Sequence, residues 1–410
     1  MTDCFEAVKA CSVSGAILRK SEGESRVREI NLQDVTAVGV CIAAAVVCGF
    51  LRGGEQRGGL DDLQLEPEDR PAQRRAALAL VLTLALAWSG GACGTELAQG
   101  AEPGTPAKVS PPAWLYPVNP AHDIRPEPDP QAIRRVPGSA ARYTNAQVDD
   151  LFIAPDWHPQ EHGSAPAVVS RGRPPETYAC GYCHRVTGAG APENSHLAGL
   201  PAAYIRQQVE DMRTGARRSS HPGRIPQDYM AVVARSASDA EIDEAALWFA
   251  AQAPVANFRV VESHLAPSVH IEDWKLMADR PLRRAPLGHR LLELPDDPQD
   301  FTSRDTRARF TVYAPIGSVE RGRLLAQHAG TTGCAACHGP RLQGMGSAPP
   351  LVGQSPSYLL RQLVDFGTGA RHGPQAAAMI AVARALSMDD MIAAAAYAAS
   401  LSPSTRSSAR

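Results

Sequence analysis

Cys180-Gly181-Tyr182-Cys183-His184, and its echo Cys334-Ala335-Ala336-Cys337-His338, decide how the rest of this chain is read. The two stretches lie 154 residues apart. The same offset aligns Leu197 with Leu351, Gly199 with Gly353, Tyr204 with Tyr358, Gln208 with Gln362, Asp211 with Asp365, Gly215 with Gly369 and Arg217 with Arg371. Five residues then drop out of the second copy. The offset becomes 149 and pairs Met230 with Met379, Ser238 with Ser387 and Trp248 with Tyr397. A duplicated domain is the simplest cause of a match at fixed spacing.

Helix punctuation agrees between the copies. Pro201 and Pro356 stand at helix starts, where a missing N–H costs nothing. Gly215 and Gly369 stand at helix ends, where a left-handed residue is wanted. Ser238 with Glu241, and Ser387 with Asp390, read as capping boxes for closing helices that end before Pro254 and Pro403. Thr144 with Gln147 caps an earlier helix, and Ser318 opens one over about 319–329. The spacing therefore predicts a mainly α chain with two small helical domains, over 144–256 and 316–402, followed by a tail at 403–410. Between them, 257–315 is expected to be a β-rich insertion, with strands at 258–261, 289–292 and 309–313.

C-x-x-C-H is the attachment sequence for c-type haem. Residues three apart share one face of a helical turn, so Cys180 with Cys183, and Cys334 with Cys337, can each form two thioethers to one porphyrin. The next residue, His184 or His338, then turns its imidazole to the iron. Two covalently bound haem c groups are expected. A four-Cys zinc site would need both pairs to converge and no adjoining His. A redox dithiol belongs beside a parallel sheet that this pattern lacks.

A six-coordinate iron takes a second axial ligand, and Met/His ligation raises the reduction potential in a way that suits electron transfer. Met230 and Met379 share a register and are the candidates. Met212 aligns with Phe366, a core-like match, and Met345 has no counterpart; His221 is the runner-up in the first copy. Arg217 and Arg371 have two readings. They pair with haem propionates through the fork that guanidinium offers a carboxylate, or they are solvated cations at helix C-termini.

Apolar residues make up 44% of the 410, charged residues 20% and aromatics only 5%, which suits small domains centred on something other than side chains. A net charge of −2 argues against nucleic acid as a partner. The nine cysteines do not form the even framework of a disulfide-stapled domain. Residues 74–93 read as a signal peptide: Arg74-Arg75, a short apolar run, then small residues up to Cys93. Cys93 is a candidate lipid-attachment site, a reversible membrane anchor. Residues 1–73 include an apolar run at Val35–Leu51 and are either an upstream-start artefact or a membrane segment; 94–143, rich in Pro, Gly and Ala, read as a flexible tether.

These motifs resemble the class I cytochrome c family, in its tandem two-domain di-haem form. The likeness covers about 165–255 and 316–402: C-x-x-C-H, then Leu197–Gly199 and Leu351–Gly353, then Tyr204–Gln208 and Tyr358–Gln362, then Met and a last aromatic-bearing helix. Family members usually place Pro before Leu-x-Gly, its carbonyl bonded to the proximal imidazole. Pro349-Pro350 fits; the first copy has Ser195-His196, which leaves the support of His184 open. The resemblance implies export to the periplasm and an electron carrier, not an enzyme. The implied partners are a dehydrogenase, a terminal oxidase or another cytochrome. Two alternatives stand beside it: a di-haem peroxidase or thiosulfate dehydrogenase-like enzyme, and a cytochrome subunit of a dehydrogenase complex docked through 257–315.

Overall fold

The computed structural model describes residues 111–119, 128–328 and 333–403. The apolar run at Val35–Leu51, the signal-like segment 74–93, Cys93 and the end of the chain from 404 lie outside them. Among the described residues no helix is long and apolar enough to cross a membrane.

Helix α1 (Asn145–Asp149) begins on the expected capping box, with Thr144 and Gln147 bonding each other's backbone N–H. The first copy follows as α2 (Ala167–Ser170), a single turn; α3 (Cys180–His184), the motif itself; α4 (Ala202–Arg213); α5 (Ile225–Ser236); and α6 (Asp239–Ala251), closed by the Ser238/Glu241 box. After α7 (Pro298–Thr302) in the insertion comes the second copy. It comprises α8 (Ser318–Ala326), α9 (Cys334–His338), α10 (Pro356–Thr368), α11 (Ala377–Ala385) and α12 (Met388–Ser400), the last on the Ser387/Asp390 box. The helix expected to start after Ser318 includes Ser318 and stops at Ala326, with Gly317 as its N-cap.

The second copy is organised by the crossing of α8 and α12. Gly322 makes that crossing close: a Cβ there would lie 2.1 Å from the Ala393 carbonyl oxygen. In the first copy α4 packs on α5 and α6, and the short α2 stands where α8 would be. Val168, Val169, Leu200, Ile205, Ala246 and Phe249 fill its core.

Strands β1 (Ile133–Arg134) and β2 (Tyr143–Thr144) form a small antiparallel pair ahead of the first copy. The insertion holds β3 (Phe258–Glu262), β4 (Leu265–Pro267), β5 (Val269–Glu272), β6 (Lys275–Ala278), β7 (Arg284–Pro286), β8 (Leu292–Pro295) and β9 (Phe310–Ala314). β3 pairs parallel with β9, from Phe258 opposite Phe310 to Glu262 opposite Ala314, and β8 lies antiparallel along the other side of β9. The strand expected at 289–292 begins at Leu292 instead. The Arg290 guanidinium donates back to the carbonyls of Leu287 and Pro286 and holds that stretch in a turn.

The insertion is shared between the copies. Val312 and Ala314 of β9 join Leu360, Val364, Met391 and Ile392 in the second core, while Met277, Phe301 and Phe310 pack on Ala191 of the first. The stretch expected to be a tether is corrected in the same way. Leu115 and Tyr116 are 3% and 2% exposed within the second core, because their apolar area gains more by burial there than by hydration.

Candidate functional site

Each motif folds as one helical turn, which puts its two sulfurs on the same face and its histidine at the end. His184 Nδ1–H donates to the Ser195 carbonyl at 2.9 Å, and His338 Nδ1–H donates to the Pro349 carbonyl at 2.7 Å. The first copy therefore supports its histidine without proline, since any residue at that position supplies a carbonyl. A bonded Nδ1–H leaves Nε2 as the bare nitrogen of each neutral ring, the form in which histidine ligates a metal. Burial reinforces neutrality: it pushes His184 down to about 4 and lowers His338. Burial likewise pushes the Cys180 thiol up to about 12 and raises Cys183 and Cys334.

Two cavities receive these groups. The first, with about 1120 Å³ of empty volume, is lined by Cys180, Cys183, His184 and Met230, with Leu197, Ile205, Val233 and Phe249 as apolar walls. The second, about 1830 Å³, is lined by Cys334, Cys337, His338 and Met379, with Leu351, Leu359, Leu363 and Ala395. Each cavity thus gathers two thiols, one imidazole and one thioether in an apolar setting, a donor set that fits haem c held covalently and ligated on both faces. The four cysteines do not converge, and no His/Cys/Asp/Glu cluster able to hold a metal occurs among the described residues, so the zinc alternative finds no site. Met230 lies within α5 and Met379 within α11. Met212 also lines the first cavity, whereas His221 stacks on the Tyr116 ring at 5.4 Å and Met345 is 54% exposed.

The copies meet through α4 and α10 about a local two-fold axis. Arg217 and Arg371 pair across it, with Arg218 N–H donating to the Ala370 carbonyl and His372 N–H to that of Ala216. Arg217 donates to Gln208 in its own copy (3.0 Å) and to Tyr358 and Gln362 in the other (2.9 Å each). Arg371 mirrors this, donating to Gln362 (3.0 Å), Tyr204 (3.1 Å) and Gln208 (2.5 Å). Both arginines are buried, at 6% and 7% exposure, so the solvated-terminus reading is set aside. Arg217 lines the first cavity and Arg371 the second.

The helices also trade places. Tyr358, Arg361, Gln362 and Asp365 of α10 line the first cavity, and Tyr204, Gln208 and Asp211 of α4 line the second. The internal repeat gives no hint of Arg361 or of Arg224, because neither recurs. Arg361 aligns with Gln207 at the 154 offset, and Arg224 lies in the stretch shortened in the second copy.

Comparison with known proteins places these features. The family model described as Cytochrome c matches residues 319–402. The thiosulfate dehydrogenase electron acceptor of Stutzerimonas stutzeri (strain A1501) is 31% identical over 234 residues, covering 56% of this chain and 82% of that protein. Cytochrome c4 of Azotobacter vinelandii is 24% identical over 241 residues, covering 58% of this chain and 89% of that protein. A solved thiosulfate dehydrogenase structure from Marichromatium purpuratum aligns with a TM-score of 0.38 and 30% identity, over 56% of this chain and 38% of that one.

Proposed function

The chain belongs to the class I cytochrome c family, and on that premise we propose that it is a periplasmic di-haem carrier. It moves single electrons from a dehydrogenase toward a terminal oxidase. The dehydrogenase proposed is one that oxidises thiosulfate, the role named for its relative in Stutzerimonas stutzeri. The observation that carries the two-haem reading is that each cavity collects two cysteines, one histidine and one methionine.

Haem c bound there supplies one-electron iron chemistry at a potential raised by thioether ligation. Cys180 and Cys183, and Cys334 and Cys337, would form the thioethers that hold it. His184 and His338 present Nε2, held in orientation by the Ser195 and Pro349 carbonyls. Met230 and Met379, one in each cavity, would supply a thioether sulfur to the iron beside the histidine nitrogen. Arg217 and Arg371 reach their cavities from the interface and offer a guanidinium to a propionate. With a histidine and a methionine both available to each iron, a substrate would have no open place on the metal, which favours a carrier over a peroxidase.

A haem count per chain tests this reading, with two expected. Met230→Ala and Met379→Ala should each remove half of the near-infrared band of Met-ligated ferric haem. A single haem, or a band unchanged in both variants, would overturn it.

A further inference from the structure

The two cavities differ in one respect that the repeat hides. Among the described residues, Arg361 and Arg224 line the first cavity and neither forms an ion pair. Arg361 is 4% exposed and donates only to the carbonyls of Leu115 and Pro192. Arg224 is half-buried and donates to the Glu193 carbonyl at 2.6 Å. Burial lowers Arg361 and pushes Arg224 down to about 9. A cation enclosed among neutral carbonyls is costly unless an anion completes it. The carboxylates on the same wall only partly offset these charges. Asp365 is bonded by Ser220 and raised by burial toward its neutral form, and Glu241 is engaged by Arg173. That leaves Glu193 on the same wall as Arg217, Arg224 and Arg361, with Glu293, itself raised toward its neutral form by burial, acting on Arg361 from behind. The second cavity is lined by one arginine, Arg371, with Asp211.

We propose that Arg361, reaching over from the second copy, and Arg224 hold the propionates of the first haem, and that this makes the first haem the electron sink of the pair. The proposal rests on the two-haem reading. Reduction adds one negative charge to a haem, and enclosed cations stabilise that charge more than water does. The second haem has no such pair, because Gln207 stands at the register of Arg361 and does not line the second cavity. An electron arriving at either haem therefore comes to rest on the first, and the first site is complete only when the second domain is folded against it.

The test uses the full holoprotein. A haem count of two comes first; a lower count refutes the two-haem reading and is distinct from every outcome of the redox titration. That titration, read from the hyperfine-shifted haem-methyl resonances and assigned with Met230→Ala, reports each haem separately. The first haem should fill first. Arg361→Gln should lower its share of the electron about tenfold, the size expected for one enclosed charge at close range, and leave the second haem unmoved. Arg361→Lys should retain most of the preference. Gln207→Arg, at a half-buried position, should strengthen the second haem and carries the test if Arg361→Gln does not fold. Redox-difference infrared spectra with 13C-labelled propionates give a readout independent of electron transfer: the carboxylate band of the first haem should move in Arg361→Gln and in Arg224→Gln. Propionate bands that stay fixed in both, or two haems that shift together, would overturn the proposal.

Discussion

The two copies hold the same attachment turn and build different surroundings for it. Around the second turn stand a two-helix crossing at Gly322, a glycine with φ of 83° at Gly339 just after the histidine, and Pro349 as carbonyl donor. Around the first, Val168 on a single helical turn stands in place of Gly322. Arg185, with φ of 65°, stands in place of Gly339, and Ser195 supplies the carbonyl. The insertion compensates. Arg304 lies over the Tyr182 ring, 3.6 Å from its centroid, and donates to the Tyr182 carbonyl, while Arg185 donates to the Phe301 carbonyl. The back of the first turn is thus covered, whereas Ala336 and Cys337 of the second are exposed. The lesson is that the chemistry needs only the turn, a carbonyl for Nδ1 and a sulfur opposite. The walls can be replaced.

The largest effect that would sharpen this contrast is expected at the helix crossing. Gly322→Val forces a side chain into the Ala393 backbone and should cost about 3 kcal/mol or more, with the Met379 ligation of the second site lost before the Met230 ligation of the first. The reciprocal Val168→Gly should cost about 2–4 kcal/mol, through lost burial and added backbone entropy, and should act on the first site instead of the second. Denaturation followed at each site separately checks both; the same site failing first in the two variants would mean that the crossing does not distinguish the copies.

Glu293 gives the next test. It lies beneath the start of α10, where its Oε2 accepts from the Ser355 hydroxyl (2.7 Å) and the Ser357 N–H (3.0 Å), and burial pushes it up to about 7. The corresponding start of α4, at Pro201, has no side-chain cap. A carboxyl raised in the folded state from 4.5 stabilises fully below that value, and the contribution is lost as pH rises through 7. Glu293→Gln keeps an acceptor for both donors and removes the titration. It should make stability flat across that window and gain on the order of 3 kcal/mol above it. An unchanged pH profile would show that Glu293 is not the group responsible.

The smallest effect concerns the residue after the first histidine. Arg185 is 2% exposed in a backbone region that favours glycine, and its Nε and Nη1 have no partner. Arg185→Gly should therefore be neutral or stabilising by about 1 kcal/mol. A clear loss of stability would mean that the contact with Phe301 outweighs the strain.

The sequence alone determined the covalent chemistry, the repeat register and the helix caps at Thr144, Ser238 and Ser387. Each depends on residues within a few positions of one another, so local spacing carries the whole signal. It also located the insertion, though not the parallel pairing of β3 with β9, because residues 52 positions apart meet only when the sheet closes. Only the tertiary structure decided that Leu115 and Tyr116 belong to the second core. It also showed that Ser195 supports His184 as Pro349 supports His338, since a backbone carbonyl leaves no mark in residue type. Above all, the fold placed α10 against the first cavity and α4 against the second. Which charges face which site therefore depends on the packing between copies, and a comparison of each copy with itself could not reveal Arg361.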